Sequence, residues 1–394
     1  MNESEPFRLL DHRVDAWCRD AEEQLKVGLL SCLPVEQHVP EDERGARRSA
    51  RDSVRSAGSP CRTDIVASVK VAALWVVLVA CGNAERGQQE PARTPDPVAA
   101  APKPPCKSGS TTCSGDDVMM CEDATTRKIT SCRGGCKQGA CVETCGANDV
   151  ELIYVVDGDR SALLSFDPKK LPADPFKSIG PLSCEGDSRP NSMAVDRTGI
   201  AWLNYGDGVL HQASLIDAHC FSQAARPEGA PTERFGMGFV TDGPKATTEK
   251  LYVVEYGGSQ VATLDTSTFP TRWVTQGKLA AAREYPPELT GTSEGRLYGY
   301  FPTETSRGYV QELDREGGAI GQRWKLPERA GHVGAWAFAF WGDVFYVFVT
   351  FEGANEVHAI HRKTGKHELV VKNSAYRIVG AGVSTCAPLL EKPL

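Results

Sequence analysis

The sequence predicts an all-β protein, and three observations indicate this fold class. Apolar and polar residues alternate with a period of two from Val150 to the end of the chain, between turns rich in Gly and Asp. The strands marked in this way recur at intervals of roughly fifty residues, which is typical of repeat architectures. In front of them, residues 106–145 contain seven cysteines, which favours a small module held together by disulfide bonds.

Composition excludes several classes of protein. With 24% charged and 41% hydrophobic residues among 394, the chain is neither globally disordered nor collagenous, and it is not a polytopic membrane protein. Its 44 Lys and Arg residues against 51 Asp and Glu residues give a net charge of −7. Because the chain has no global basic field that would draw it to phosphate backbones, we expect no binding to nucleic acid. We also expect the protein to be a monomer.

A single strongly apolar run, Val71–Ala80, follows Lys70 and ends at Cys81. Ten helical residues reach about 15 Å, roughly half of the hydrocarbon core, so the run is too short to span a membrane. A basic residue before a short apolar run is typical of a secretory signal. The tetrapeptide Leu78–Cys81 resembles the lipobox of bacterial lipoproteins. This resemblance implies a lipid on Cys81, and Gly82 after it implies the outer membrane of a Gram-negative bacterium.

These features divide the N-terminal part of the chain into three segments. Residues 66–81 are interpreted as the lipoprotein signal peptide, and residues 82–105, with six prolines and no aromatic residue, as a Pro/Ala-rich tether. Residues 1–65 are not expected in the mature protein, on the hypothesis that translation starts at Val66 or Val69. The alternative is a genuine cytoplasmic head with the apolar run as an uncleaved anchor.

Residues 106–145 are predicted to form the disulfide-rich module, because so short and polar a segment cannot bury enough apolar area to fold unaided. A zinc site is the other interpretation of dense cysteines. It is disfavoured because the segment has no His and no Cys-x2-Cys spacing. The cysteine order resembles small modules of surface lipoproteins from predatory and social Gram-negative bacteria. That resemblance implies a location in the cell envelope and no particular chemistry.

Residues 146–394 are predicted to form a β-propeller. One repeat contains three strands, at Asn191–Asp196, Gly199–Tyr205 and Val209–Asp217, and a fourth, weaker strand is expected after each such set. Four strands per unit make a propeller blade. The domain opens with a second strand, Glu151–Val156, and the missing first strand is found at Arg377–Val383. The expected fold is therefore a five-bladed β-propeller in which the C-terminal strand completes the first blade.

A six-bladed ring is the alternative architecture, with one degenerate blade around Ala280–Pro287. The segment Arg189–Asp196 resembles sequences of NHL/YVTN-like and gluconolactonase-like propellers. Because many proteins of these groups are not enzymes, the resemblance implies a fold rather than an activity.

The parity of the cysteines is consistent with closure of the ring. Ten cysteines follow Cys81, and an exported chain favours even pairing. Closure would bring Cys145 close to Cys386 and would leave Cys184 to pair with Cys220. Three bridges of open connectivity then remain among Cys106, Cys113, Cys121, Cys132, Cys136 and Cys141. In the competing arrangement Cys145 pairs within the module, and Cys386 pairs with Cys184 or Cys220.

Signals for catalysis are weak. A propeller glycoside hydrolase needs two or three carboxylates in its central channel, and Glu288 and Asp196 are the available candidates, although both are better explained as turn or rim residues. Asn191 stands where gluconolactonase-like families carry one metal ligand, but its expected companions are absent from the sequence. Outer-strand histidines such as His211 and His358 are interpreted as solvated. We therefore expect no catalytic residue, no metal and no cofactor.

The last full repeat is dense in aromatic residues, and Trp336, Phe338 and Phe340 are the candidates for an aromatic channel mouth that binds a sugar or a peptide. The predicted function is that of a lipid-anchored envelope protein whose propeller presents a binding or scaffolding surface for a protein or glycan ligand. The alternative is an exported propeller hydrolase or lactonase acting on a sugar-type substrate.

Overall fold

The structure is a computed structural model that describes residues 106–257, 259–279, 285–303 and 306–389. The interpretations placed on residues 1–65, 66–81 and 82–105, including lipidated Cys81, lie outside these ranges. The described chain is built from antiparallel strands, with one short 3-10 turn at Pro168–Lys170 as its helical element. No helix in the described ranges is long and apolar enough to cross a bilayer. The prediction of an all-β chain with disulfide bonds is confirmed.

The cysteine-rich module contains a three-stranded antiparallel sheet and a two-stranded hairpin. Its strands are β1 (Thr111–Ser114), β2 (Asp117–Glu122), β3 (Thr125–Ser131), β4 (Cys136–Lys137) and β5 (Ala140–Cys141). Its bridges are Cys106–Cys121, Cys113–Cys136 and Cys132–Cys141.

Five antiparallel sheets carry the repeat in the described part of residues 146–394. The first contains β6 (Ile153–Asp157), β7 (Ala162–Phe166), β8 (Phe176–Pro181) and the C-terminal β24 (Ile378–Val383). The second contains β9 (Pro190–Val195), β10 (Ile200–Tyr205) and β11 (Leu210–Ser214).

The last three sheets contain four consecutive strands each. The third contains β12 (Phe235–Thr241), β13 (Glu249–Glu255), β14 (Gln260–Asp265) and β15 (Arg272–Lys278). The fourth contains β16 (Glu288–Gly291), β17 (Leu297–Thr303), β18 (Ser306–Leu313) and β19 (Ala319–Lys325). The fifth contains β20 (Val333–Trp341), β21 (Val344–Phe351), β22 (Ala354–His361) and β23 (His367–Val371).

The second sheet departs from the expected four-strand pattern. Its fourth strand is reduced to two isolated bridges, Leu210 with Ala225 and Ala213 with Cys220. Cys220 is tied to Cys184 by a disulfide bond, and two prolines follow in residues 227–231. Because proline cannot donate to a strand ladder, these prolines do not extend the pairing beyond Ala225. The prediction of a fourth strand after every set of three is therefore wrong for this sheet.

The first strand of each sheet lies beside the first strands of its neighbours. Strand β24 pairs with β6 in antiparallel register and packs against both β9 and β20. Strand β12 packs against β9 and β16, and β16 packs against β20. This propeller-like arrangement brings the beginnings of β9, β12, β16, β20 and β24 together at one end of the fold. The apolar core lies between neighbouring sheets.

The module packs against the second and third sheets through both apolar and polar contacts. Ile129 of β3 belongs to one buried cluster with Trp202 and Phe235. At the edge of this contact, the Glu122 carboxylate lies 2.7 Å from His219 Nε2 and accepts a hydrogen bond from the Ser222 backbone N–H at 2.7 Å. Buried apolar area together with these hydrogen bonds fixes the module on the sheets.

Two further disulfide bonds lie outside the module. Cys145 is bonded to Cys386 at a sequence separation of 241, and Cys184 is bonded to Cys220. The first bond joins the end of the module to the segment just after β24. It therefore links the beginning and the end of the five-sheet region covalently.

Candidate ligand-binding cavity

A cavity of about 550 Å³ lies where the first strands of the five sheets begin. Its volume is within the range of about 300–1,000 Å³ that is usual for small-ligand sites. The lining includes residues at or next to the start of each first strand. Charged, polar and aromatic side chains of the lining include Arg189, Asn191, Arg234, Tyr256, Tyr285, Glu288, His332, Trp336 and Arg377.

Three arginines occupy the same position in their repeats, directly before the first strand. Arg189 precedes β9, Arg234 precedes β12 and Arg377 precedes β24. In the fifth sheet, His332 occupies the corresponding position before β20. Because the first strands begin at one end of the fold, these equivalent positions converge on one cavity. Three arginines and one histidine therefore surround the cavity.

The arginines differ in how far they are neutralised within the protein. Arg377 Nε lies 2.7 Å from Asp159 Oδ1, in a half-exposed ion pair. Arg189 and Arg234 are exposed, and neither guanidinium has a carboxylate partner among the described residues. Their donors are therefore available to an anion, and Arg is the side chain best suited to bidentate binding of a carboxylate or phosphate.

Glu288 is the one carboxyl group in the described cavity lining, and it is buried at the start of β16. Ser192 Oγ lies 2.8 Å from Glu288 Oε2, and the backbone N–H of Met237 donates to the carboxyl group. Burial raises the pKa of Glu288 well above its usual value, against the lowering effect of these hydrogen bonds. The raised pKa favours the uncharged form of Glu288, so this carboxyl group offsets the positive charge of the cavity less than an ordinary glutamate would.

Aromatic rings form one wall of the cavity. Trp336 is partly buried and packs edge-on against Tyr285, with ring centroids 5.4 Å apart. Its indole N–H donates to the Pro286 carbonyl oxygen at 3.1 Å, which fixes the ring orientation. Tyr256 adds a ring that is 39% exposed. Partly exposed, fixed rings of this kind offer apolar faces to a ligand at low entropic cost.

Of the three aromatic candidates from the sequence, one lies in the cavity and two lie elsewhere. Trp336 lines the cavity, whereas Phe338 and Phe340 are buried in the core between the fourth and fifth sheets. The three side chains share one face of β20. Beyond Trp336, the fourth sheet covers this face of β20. Tyr298 of that sheet packs against Phe340, and Phe345 of β21 packs against Phe338. Assignment of Phe338 and Phe340 to the channel mouth is therefore corrected.

The other candidates have structural explanations. Asp196 caps the turn between β9 and β10, where its carboxylate accepts hydrogen bonds from the Ile200 backbone N–H and from Trp202 Nε1. Asn191 lines the cavity and donates to Asn204 Oδ1 at 3.1 Å. Within the described ranges, no group of three or more His, Cys, Asp or Glu side chains is placed to hold a metal ion.

Two of the outer-strand histidines are buried rather than solvated, which corrects that interpretation. His211 packs against Tyr205 with the two rings tilted, and His358 Nε2 lies 2.9 Å from a carboxylate oxygen of Glu356. Glu356 also pairs with the guanidinium of Arg307 at 2.8 Å. Burial lowers the pKa of His358 to about 4, so this imidazole is neutral in a fixed core network.

Sequence analysis missed the arginine ring and the tyrosines of the cavity. A detectable signal was present, since aligning the repeats places Arg189, Arg234 and Arg377 at one position, directly before a first strand. Tyr256 and Tyr285 lie in connecting segments outside the strand pattern, and nothing in the period-two alternation marks them.

Comparison with known proteins shows no family membership. No protein family model matches the chain. No curated protein is significantly similar to it.

Solved structures give loose similarities. A crystal structure of the mitotic checkpoint complex is 12% identical, with a TM-score of 0.32, over 56% of this chain and 62% of that chain. A nidogen/laminin complex is 11% identical, with a TM-score of 0.36, over 59% of this chain and 97% of that chain. Glutaminyl cyclase from Myxococcus xanthus is 16% identical, with a TM-score of 0.31, over 50% and 71%. All three TM-scores are below 0.5, so these similarities say nothing about what the chain binds or does.

Proposed function

We propose that this protein is a lipid-anchored bacterial envelope protein that binds a ligand at one end of a closed, five-bladed β-propeller. Each sheet would be one blade, and β24 would close the ring by completing the first blade. The pairing of β24 with β6, its packing against β9 and β20, and the Cys145–Cys386 bond support this closure. A closed ring also removes exposed sheet edges.

The observation that carries the binding proposal is the convergence of equivalent positions on one cavity. In four of the five repeats, the residue directly before the first strand is Arg or His, and these residues surround a cavity of about 550 Å³ with an aromatic wall. Arg189 and Arg234 have no carboxylate partner among the described residues, and no role in folding is evident for them. They are better explained as a recognition site for a ligand.

Binding fits this cavity better than catalysis does. A glycoside hydrolase needs a pair of carboxyl groups about 5–10 Å apart across the bond that is cleaved. The described lining supplies Glu288 alone. Glu288 is nevertheless the observation that favours the second candidate, an exported propeller hydrolase or lactonase, because a buried carboxyl group with a raised pKa can act as a general acid.

A cell-envelope location is supported by the five disulfide bonds, since such bonds persist in oxidising compartments and are rare in the cytosol. The anchor is proposed from the sequence, with lipid on Cys81 and residues 82–105 as a spacer. If this spacer is mostly polyproline II, it reaches on the order of 70 Å. The binding cavity would then stand clear of the outer membrane surface.

The anchor is tested by mass spectrometry of the protein extracted from membranes. We expect the mature N-terminus to be lipidated Cys81, and we expect the Cys81→Ala variant to lose membrane attachment. Recovery of mature peptides that contain Trp17 or Arg55 would contradict the proposed anchor.

Binding is separated from catalysis by two readouts on the same full-length protein. Oligosaccharides and short peptides are titrated with Trp fluorescence as the signal, and the mixtures are then analysed for products. We expect saturable binding without product, and we expect Trp336→Leu to weaken it. Product formation that disappears in Glu288→Gln would instead establish the hydrolase or lactonase.

A further inference from the structure

We propose that the cavity recognises an acidic saccharide, with the carboxylate of a uronic-acid unit among the three arginines and the sugar ring against Trp336. This inference rests on the ligand-binding function proposed above and names its ligand class. It is carried by three properties of the cavity, which are its charge, its aromatic wall and its polar lining.

The charge of the cavity selects an anion. Arg189 and Arg234 are exposed without a described carboxylate partner, and Asp159 neutralises only Arg377. Glu288, the described carboxyl group of the lining, is buried and accepts hydrogen bonds from Ser192 and Met237, so its oxygens are already engaged within the protein. A ligand carboxylate would therefore meet uncompensated guanidinium groups, whose geometry matches its two oxygens.

The aromatic wall selects a ligand with a broad apolar face. The Trp336 ring is held by its contact with Tyr285 and by its hydrogen bond to the Pro286 carbonyl oxygen, so little entropy is lost when a ligand packs against it. A small inorganic anion would use the arginines and leave this wall unused. A pyranose ring offers C–H groups on one face and hydroxyl groups around its edge.

The polar lining suits those hydroxyl groups. Ser188 and Asn191 provide a hydroxyl and an amide at the start of β9, and Glu288 adds a carboxyl group. A volume of about 550 Å³ is within the usual range for a small ligand. An acidic disaccharide therefore fits the size and the chemistry of the cavity.

An acidic peptide is less favoured as the ligand because the cavity presents side chains rather than a free strand edge. Peptides that bind sheets commonly add a strand to a free edge through main-chain hydrogen bonds. Here the first strands pack against one another, and the cavity is lined by side chains at their beginnings. The cavity therefore offers side-chain donors and rings rather than a free strand edge.

The test is isothermal titration calorimetry of the full-length mature protein with digalacturonate. Galactobiose is the neutral probe, tetraglutamate is the peptide probe, and inorganic phosphate is the probe for simple anion binding. We expect saturable binding of digalacturonate that weakens as salt is raised, and binding of galactobiose at least about tenfold weaker, as loss of charge-assisted hydrogen bonds predicts.

The variants localise the effect. Arg234→Gln should weaken digalacturonate binding about tenfold, because it removes one guanidinium from the carboxylate site. Arg272→Gln is the matched control, since Arg272 lies at the start of the outer strand β15 with 66% of its side chain exposed. It should leave the affinity unchanged. Trp336→Leu should weaken the binding of both digalacturonate and galactobiose.

Three results would overturn the inference, and two of them leave the binding function standing. Equal affinity for galactobiose and digalacturonate, with no effect of Arg234→Gln, would show that the cavity binds sugars without selecting their charge. Binding of tetraglutamate alone, sensitive to Arg234→Gln, would replace the saccharide by a peptide. If neither saccharide binds, while the native protein and Arg272→Gln bind inorganic phosphate with equal affinity, the protein binds simple anions only.

Discussion

Glu249 lies at the start of β13, where three elements enclose its carboxyl group. The Arg197 backbone N–H donates to one oxygen at 2.8 Å, and the Thr385 hydroxyl donates to the other at 2.6 Å. Burial raises the pKa of Glu249 to about 7, and the nearby Asp196 carboxyl group adds to this effect. The Arg197 guanidinium, 3.5 Å away, lowers the pKa but does not outweigh burial.

This carboxyl group makes stability depend on pH with a defined sign. Its folded pKa of about 7 exceeds the usual glutamate value of 4.5, so between these pH values the native state holds a proton that the unfolded state has lost. The contribution of Glu249 is therefore fully present below pH 4.5, falls as pH rises through this window, and is lost above pH 7. Its size is about 3 kcal/mol.

Glu249→Gln removes this titration while keeping the side-chain shape. We compare the unfolding free energy of the variant with that of the native protein at each pH. When pH is raised from 4 to 8, this difference should shift by about 3 kcal/mol in favour of the variant, because only the native protein loses the Glu249 contribution. Urea denaturation at the two pH values measures it. The control is Glu328→Gln, at a side chain that is 83% exposed. Parallel pH profiles for the native protein and Glu249→Gln would contradict the assignment.

At the scale of strands, glycines set how closely the first strands approach each other. A Cβ atom on Gly236 of β12 would overlap the Pro287 carbonyl oxygen at the start of β16. On Gly380 of β24, it would lie 2.9 Å from the Met193 backbone nitrogen of β9. Backbone groups cannot move aside as flexible side chains do, so glycine is required at these contacts.

Gly236→Ala should therefore destabilise the protein by about 2–4 kcal/mol, because β12 and β16 would have to separate. Gly334 of β20 is a matched control in another first strand, since its Cβ would meet its nearest described atom at 3.9 Å. Gly334→Ala should change the unfolding free energy by less than about 0.5 kcal/mol. Similar melting temperatures for the two variants would refute the close-approach explanation.

Strand positions could be predicted from sequence wherever alternation and turns agree. The pattern at Arg377–Val383 corresponds to β24, whose partner β6 lies more than 200 residues earlier. The outer part of the second sheet could not be predicted in this way. Apolar alternation does not reveal how a disulfide bond at Cys220 and nearby prolines divert the chain.

The candidate site was less predictable than the strands for a similar reason. Phe338 and Phe340 lie in one alternating register with Trp336, and only the position of the neighbouring sheet separates a cavity wall from a core. The raised pKa of Glu288 likewise depends on burial by elements distant in sequence. Alternation reports which face of a strand is apolar, but it does not report what covers that face.

At the scale of the whole molecule, the proposed architecture depends on joining the two ends of the five-sheet region. The Cys145–Cys386 bond spans 241 residues, and restricting so long a loop in the unfolded chain is worth up to about 5 kcal/mol in the chain-entropy model. This is a large part of a typical stability of about 5–15 kcal/mol. Closure would also hold β24, and with it Arg377, at the ligand cavity.

Nonreducing peptide mapping of the full-length protein tests this closure most directly. Thiols are blocked before digestion, and linked peptides are identified by mass spectrometry before and after reduction. The closed ring predicts one linked pair that contains Cys145 and Cys386, and a second pair that contains Cys184 and Cys220 is expected beside it. Detection of Cys386 as a free thiol, or of Cys386 linked to Cys184, would contradict the closed five-bladed ring.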